Sequence, residues 1–149
     1  MNEQLNFLFS GQNVIKSKIT VSVIDDDQSV RRALKRLLKS VGYDVKVFES
    51  ARAYLDFKET DAEGLIILDI QMPDIDGFEL MKILTASGNR SPVIFITAHE
   101  NPRVREMAMN SGAVAFLQKP FDDQSLLDAI MKGISGVSPE NGQNQLQIN

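Results

Sequence analysis

The chain has 149 residues, 43% of them hydrophobic and 24% charged, with a net charge of −4 and no cysteine. That length suffices for one domain with its own core, and the missing cysteine excludes disulfides, thiolate metal sites and cysteine nucleophiles. The negative balance argues against general binding to nucleic acid or anionic membranes. No apolar run approaches the ~18 residues of a membrane-spanning helix. The amino terminus carries Glu3 and only the short apolar patch Leu5 to Phe9, poor material for a signal peptide, so a cytoplasmic protein is the expectation.

Residues 1–18 mix Asn, Gln, Ser and Gly with Leu5, Phe7, Leu8 and Phe9 in no clear period and are expected to form a poorly ordered extension. Thr20 to Ile24 is a β-branched strand that runs into Asp25-Asp26-Asp27. Val30, Ala33, Leu34, Leu37, Leu38 and Val41 then fall on one helical stripe that closes at Gly42. Arg31, Arg32, Lys35, Arg36 and Lys39 occupy the opposite face, a pattern that ordinarily means solvation. Tyr43, Val45 and Val47 alternate with Asp44 and Lys46, as in a sheet-edge strand with one wet face. Ser50 is placed to cap a short helix near 51–58.

Leu65-Ile66-Ile67-Leu68 runs straight into Asp69, and a Pro/Asp/Gly turn follows through Gly77, which fits a third strand buried on both faces. Phe78, Leu80, Met81, Ile83 and Leu84 build a helix that ends before Gly88, and Pro92 to Thr97 is a fourth strand. Asn101-Pro102 is a cap followed by proline at the first helical position, and Gly112 closes that helix. Val114 to Leu117 gives a fifth strand before Lys119-Pro120. Asp122 or Asp123 caps a last helix carrying Leu126, Leu127, Ile130 and Met131. From Ile134 the composition turns to Ser, Pro, Asn, Gly and Gln, so 134–149 is expected to be a disordered tail.

Five strands alternating with five helices predict an α/β fold, a doubly wound (βα)5 parallel sheet with helices on both faces. All carboxyl ends of such a sheet share one edge, where ligands bind. Those ends are Asp25-Asp26, Asp69, Thr97 and Lys119. Singly they have ordinary readings as a turn, a cap, a satisfied threonine and a surface lysine; together they form a pattern. Three carboxylates in one partly buried place repel each other unless a cation joins them, and hard oxygen ligands suit Mg²⁺. A hydroxyl and an ammonium opposite the cation supply a donor and a point charge for a phosphoryl group, the parts that phosphoryl transfer needs.

The motifs Val23-Ile24-Asp25-Asp26, Leu68-Asp69-Ile70-Gln71-Met72-Pro73-Asp74-Ile75-Asp76-Gly77, Ile96-Thr97-Ala98 and Phe116-Leu117-Gln118-Lys119-Pro120-Phe121 resemble, in order and spacing, the receiver domain of two-component response regulators over residues 19–133. The resemblance implies a flavodoxin-like sheet of order 2-1-3-4-5. It implies that Asp69 accepts the phosphoryl group, that Asp26, Asp69 and the Gln71 backbone carbonyl ligate Mg²⁺, and that Asp25 acts through a metal-bound water. Lys119 would neutralise phosphate oxygens, and Thr97 would bond to the phosphoryl group past the small Ala98. Phe116 would move with Thr97, though it lacks the phenolic hydroxyl of many relatives. Gln71 and His99 stand at positions that modulate phosphoryl lifetime in the family, Lys119-Pro120 would be cis, Asp27 would start a helix, and Asp74 and Asp76 would serve the turn.

The implied partners are a sensor histidine kinase or phosphotransfer protein and, through about residues 101–133, a downstream protein or a second copy; neither DNA nor membrane binding is implied. Residues 134–149 are too few and too polar for a helix-turn-helix output domain, so the chain taken as a whole protein is expected to be a stand-alone receiver. The same tail also resembles the start of a linker to a further domain. A phosphatase using an aspartyl-phosphate intermediate would place a second Asp two residues after the nucleophile. Gln71 stands there instead, which favours a signalling module over an enzyme. The third reading, a degenerate receiver that binds partners without phosphorylation, loses ground because every site position is filled.

Overall fold

The computed structural model describes residues 19–57 and 64–135. Five strands alternate with five helices in these segments: β1 (Thr20–Ile24), α1 (Gln28–Ser40), β2 (Asp44–Phe48), α2 (Ala51–Asp56), β3 (Gly64–Asp69), α3 (Gly77–Ala86), β4 (Val93–Thr97), α4 (Pro102–Asn110), β5 (Ala115–Gln118) and α5 (Asp123–Ser135). The strands pair in parallel in the order β2-β1-β3-β4-β5, as the alternating pattern and the resemblance require.

Alternate strand residues feed two cores, one on each face of the sheet. Val21, Val23, Leu65, Ile67, Ile94 and Ile96 pack with Leu34 and Leu38 of α1 and Leu126 and Ile130 of α5. Ile24, Ile66, Leu68 and Phe95 face the other way, against Ala51 of α2, Leu80 and Leu84 of α3 and Ala108 of α4. Central strands covered on both sides need apolar residues at every position, which is why β3 and β4 are continuous hydrophobic runs.

Side chains start the helices. Asp27, Ser50 and Asn101 accept from the Ser29, Ala53 and Val104 amides at 2.8, 3.0 and 2.9 Å. Asp76 and Glu79 form a reciprocal capping box at α3, each bond 2.8 Å long. Asp122, not Asp123, caps α5 by accepting from the Ser125 amide at 2.7 Å, and those donors hold its carboxyl below the usual carboxylate range. Gly42 turns the chain out of α1 at a φ of 103°, a conformation that glycine adopts without penalty.

Some boundaries differ from the sequence pattern. Ala33, assigned to the buried stripe of α1, is exposed, because Leu34 and Leu38 already fill the space over the sheet. Helix α2 ends at Asp56, β4 starts at Val93, and β5 is shifted one residue along, to Ala115–Gln118. Helix α5 continues to Ser135, past the composition change at Ile134, and its Gly133 is buried on the sheet. A Cβ there would lie 2.8 Å from Leu65 Cδ1. The expected extension 1–18, residue 58 of the short helix and residues 136–149 of the tail lie outside the described residues. Among the described residues no helix is long and apolar enough to cross a membrane.

Candidate functional site

Strand register brings the polar strand ends to one place. Ile24 pairs with Leu68, so the next residues, Asp25 and Asp69, leave the sheet side by side. Asp69 itself pairs with Ile96, which sets Thr97 one step beyond it. Thr97 pairs with Gln118, and the Lys119 amide donates to the Thr97 carbonyl at 2.8 Å. Asp25, Asp69 and Thr97 are the buried polar residues among the described ones; Asp26 is exposed at the rim.

Carboxylate oxygens of Asp25, Asp26 and Asp69 all lie within 4.8 Å of one another. The Lys119 ammonium stands 2.8 Å from Asp25 Oδ2 and 3.8 Å from Asp69 Oδ1, one positive charge among three acids. Asp25 Oδ1 accepts from the Asp27 amide at 2.8 Å, and its carbonyl accepts from Arg31 Nη1 at 2.8 Å. The buried Asp25 Oδ2, by contrast, receives no directed hydrogen bond beyond its ion pair with Lys119. Burial first, and then the neighbouring Asp25 charge, push the Asp69 carboxyl up to about 7, against the pull of Lys119 and of the Gln71 amide. An under-neutralised cluster of hard oxygens with one buried oxygen short of donors fits a divalent cation.

Thr97 and Gln71 face each other across this edge. The Thr97 hydroxyl donates to Gln71 Oε1 and accepts from the His99 amide at 3.1 Å. Gln71 Nε2 in turn donates to the His99 carbonyl at 3.4 Å, while the Gln71 amide donates to Asp69 Oδ1 at 3.3 Å. Ala98 and His99 are exposed, and His99 takes part through its backbone. Phe116 pairs with Phe95 in the sheet and is half-buried in the second core. The Arg105 guanidinium lies 5.3 Å from its ring centroid, and Arg105 Nε is paired to Glu100 Oε2 at 2.8 Å.

The turn after Asp69 is held by backbone and by one ion pair. The Gly77 amide donates to the Ile70 carbonyl at 2.9 Å, so α3 starts against the backbone of the acid. A Cβ at Gly77 would lie 2.5 Å from the Asp69 carbonyl oxygen and 2.9 Å from Ile70 Cα, which leaves room only for glycine. Asp74 takes a φ of 74°, and its carboxylate is paired to exposed Arg52 at 3.0 Å. The Lys119-Pro120 peptide is cis, as the resemblance implies.

The structure thus gathers Asp25, Asp26, Asp69, Thr97 and Lys119 and adds the Gln71 side chain to them. Phe116 belongs to the layer behind, under Arg105. Sequence reasoning missed Arg52 and Arg105. Each is a single cation on a helix, and only an acid brought near by the fold distinguishes it from a solvated one.

Residues 21–131 match the family described as the response regulator receiver domain. Transcriptional regulatory protein TdiR of Thauera aromatica is 40% identical over 111 residues, covering 74% of this chain and 49% of that protein. Transcriptional regulatory protein FixJ of Azorhizobium caulinodans is 41% identical over 127 residues, covering 85% and 60%. The chain therefore spans about half the length of the curated relatives it matches. Among solved structures, FixJ-N superposes with a TM-score of 0.71 at 36% identity, covering 77% of this chain and 92% of that one. Response regulator StyR superposes with a TM-score of 0.73 at 41% identity, covering 86% and 65%. With the family match over most of its length, the five-stranded parallel sheet and the acidic pocket at its carboxyl edge, the chain belongs to the response regulator receiver domains, the phospho-accepting modules of two-component signalling.

Proposed function

We propose that Asp69 is the phosphoacceptor and that a phosphohistidine of a sensor kinase or phosphotransfer protein is its donor. The observation that carries this is the buried Asp69 carboxylate lying within reach of Asp25, Asp26 and the Lys119 ammonium at the end of β3. A carboxylate oxygen attacks phosphorus, an acyl phosphate bond forms, and the P–N bond breaks. Its electron pair stays on the imidazole, which takes up a proton. Lys119 pairs with phosphoryl oxygens, and Thr97, with only Ala98 beside it, offers its hydroxyl to one of them. Asp25, Asp26, Asp69 and the Gln71 carbonyl would hold Mg²⁺, which when bound neutralises carboxylate and phosphoryl charge.

The acyl phosphate is lost by slow self-catalysed hydrolysis, because Gln71 offers no acid/base carboxylate for turnover. Phosphorylation biases two conformations according to its differential affinity for them. The responsive surface is about 101–133, which carries α4, β5 and most of α5, Phe116 among them, and binds a protein partner or a second copy. TdiR and FixJ are transcriptional regulators by name, so the signal is of the kind that ends in gene control, with the receiver at 19–133 acting in the cytoplasm and not touching DNA itself.

The test is incubation with acetyl phosphate and Mg²⁺ followed by intact-mass spectrometry. The wild type gains one phosphoryl group and Asp69→Ala gains none. No gain on the wild type, or a gain on Asp69→Ala, overturns the assignment.

A further inference from the structure

We propose that Gln71 is a positioning residue that latches the Thr97 hydroxyl in the phosphate-free protein, so that Gln71 and the phosphoryl group compete for one proton. The inference rests on the reading of Asp69 as phosphoacceptor. Thr97 is fully buried and has a single hydroxyl proton. Its oxygen already accepts from the His99 amide at 3.1 Å, which orients the remaining O–H toward an acceptor. Gln71 Oε1 accepts it, and the other acceptor in reach, the His99 carbonyl at 3.2 Å, is itself held by Gln71 Nε2 at 3.4 Å.

One amide therefore ties the loop after β3 to the loop after β4 through both of its ends. The same residue is joined to the phosphoacceptor, since its backbone amide donates to Asp69 Oδ1 at 3.3 Å. Gln71 is exposed, so its bonds compete with water and the latch is weak enough to open. A phosphoryl oxygen on Asp69 carries charge and accepts roughly twice as strongly as an amide carbonyl. Thr97 then leaves Gln71 and the tie between the two loops is lost. Gln71 in this way sets how much phosphoryl affinity is spent on freeing the hydroxyl.

Beryllofluoride with Mg²⁺, a non-covalent phosphoryl mimic, is the probe, with affinity measured by calorimetry in a double-mutant cycle. Gln71→Leu, similar in length but without polar atoms, tightens binding about two- to tenfold, the range of one hydrogen bond. In a Thr97→Ala background the same substitution has no effect beyond the error of the measurement. Equal tightening in both backgrounds would point to access rather than a latch and overturns the proposal, as does no tightening in either. A second readout needs no phosphate: the Thr97 Hα–Hβ coupling reports one rotamer in the wild type and an average in Gln71→Leu. Gln71→Glu, which keeps an acceptor at the same reach, restores the single rotamer. An unaltered coupling in Gln71→Leu overturns the latch by itself, whereas failure of the wild type to bind beryllofluoride at all counts against the Asp69 reading.

Discussion

Asp69→Asn stabilises the fold when divalent cations are removed with EDTA. The Asp69 carboxyl sits at about 7 against an ordinary 3.8, because burial and the Asp25 charge penalise its ionised form. Carrying that difference to alkaline pH costs the folded state about 4 kcal/mol relative to the unfolded chain. The folded value lies above the unfolded one, so the folded chain binds more protons between about pH 4 and pH 7. Stability therefore falls as pH rises through that window and levels off above it. Asparagine removes the charge but must find partners for its amide in a buried place, which returns about 1–2 kcal/mol. The net gain is about 2–3 kcal/mol at pH 8, vanishes at about pH 5 and turns into a loss of about 1 kcal/mol near pH 4, where only the cost of the amide is left. Urea unfolding followed by far-UV circular dichroism measures it, since the chain has no tryptophan. A variant no more stable than the wild type at pH 8, or a gain that persists undiminished at pH 5, refutes the reasoning. Excess Mg²⁺ should narrow the difference, because a cation at one hundred times its Kd adds about 2.7 kcal/mol to the protein that binds it.

Gly77→Ala forces a methyl against the Asp69 carbonyl and costs about 1–3 kcal/mol, read as a lower urea midpoint at unchanged slope. It should also slow phosphoryl uptake from acetyl phosphate, and a stable variant with normal uptake would show that the close approach does not matter. Asp76→Ala removes one half of the capping box of α3 and costs about 1 kcal/mol, with Asp76→Asn recovering most of it; equal losses in the two variants would contradict the capping role. Arg105→Ala, on an exposed side chain, changes stability by no more than about 1 kcal/mol but moves the ring resonances of Phe116, and unmoved resonances would deny the contact.

The fold was legible because its strands have nothing to hide from water. Val93 to Ile96 and Leu65 to Leu68 are buried throughout, so hydrophobicity alone marks them, and caps such as Asn101 mark the helices between. The site was legible for the complementary reason. Asp25, Asp69 and Thr97 are the places where those apolar runs break off, and a parallel sheet puts every break on one edge. Edge strand β5 was harder, since none of its four residues is fully buried and hydrophobicity is a poor guide to its ends. Contacts between side chains on separate loops were beyond the pattern altogether. Gln71 and Thr97 are 26 residues apart, and Gln71 looked like a residue that matters for its backbone carbonyl and for phosphoryl lifetime. Arg105 over Phe116 and Arg52 against Asp74 have no periodic signature either, because a cation on a helix is the commonest thing a helix surface carries.

In the proposed reading, the contacts around Thr97 give a charge on Asp69 a route toward the α4–β5 surface. Thr97 is the last residue of β4, and three connections leave it. Its hydroxyl goes to Gln71 and so toward Asp69, its carbonyl goes to the Lys119 amide at the end of β5, and its chain continues through Ala98, His99 and Glu100 to α4. Glu100 is paired to Arg105, whose guanidinium covers Phe116 in the middle of β5. On that reading, a hydroxyl that changes partner from Gln71 to a phosphoryl oxygen would pull on a loop with both ends already committed, one to β5 through Lys119 and the other to Phe116 through Arg105. Close-packed interiors respond to such a pull by switching between discrete packings rather than by stretching. In the proposed reading Phe116 needs no hydroxyl for this, because the cation above its ring and the ion pair to Glu100 supply the link that a phenol makes by hydrogen bonding.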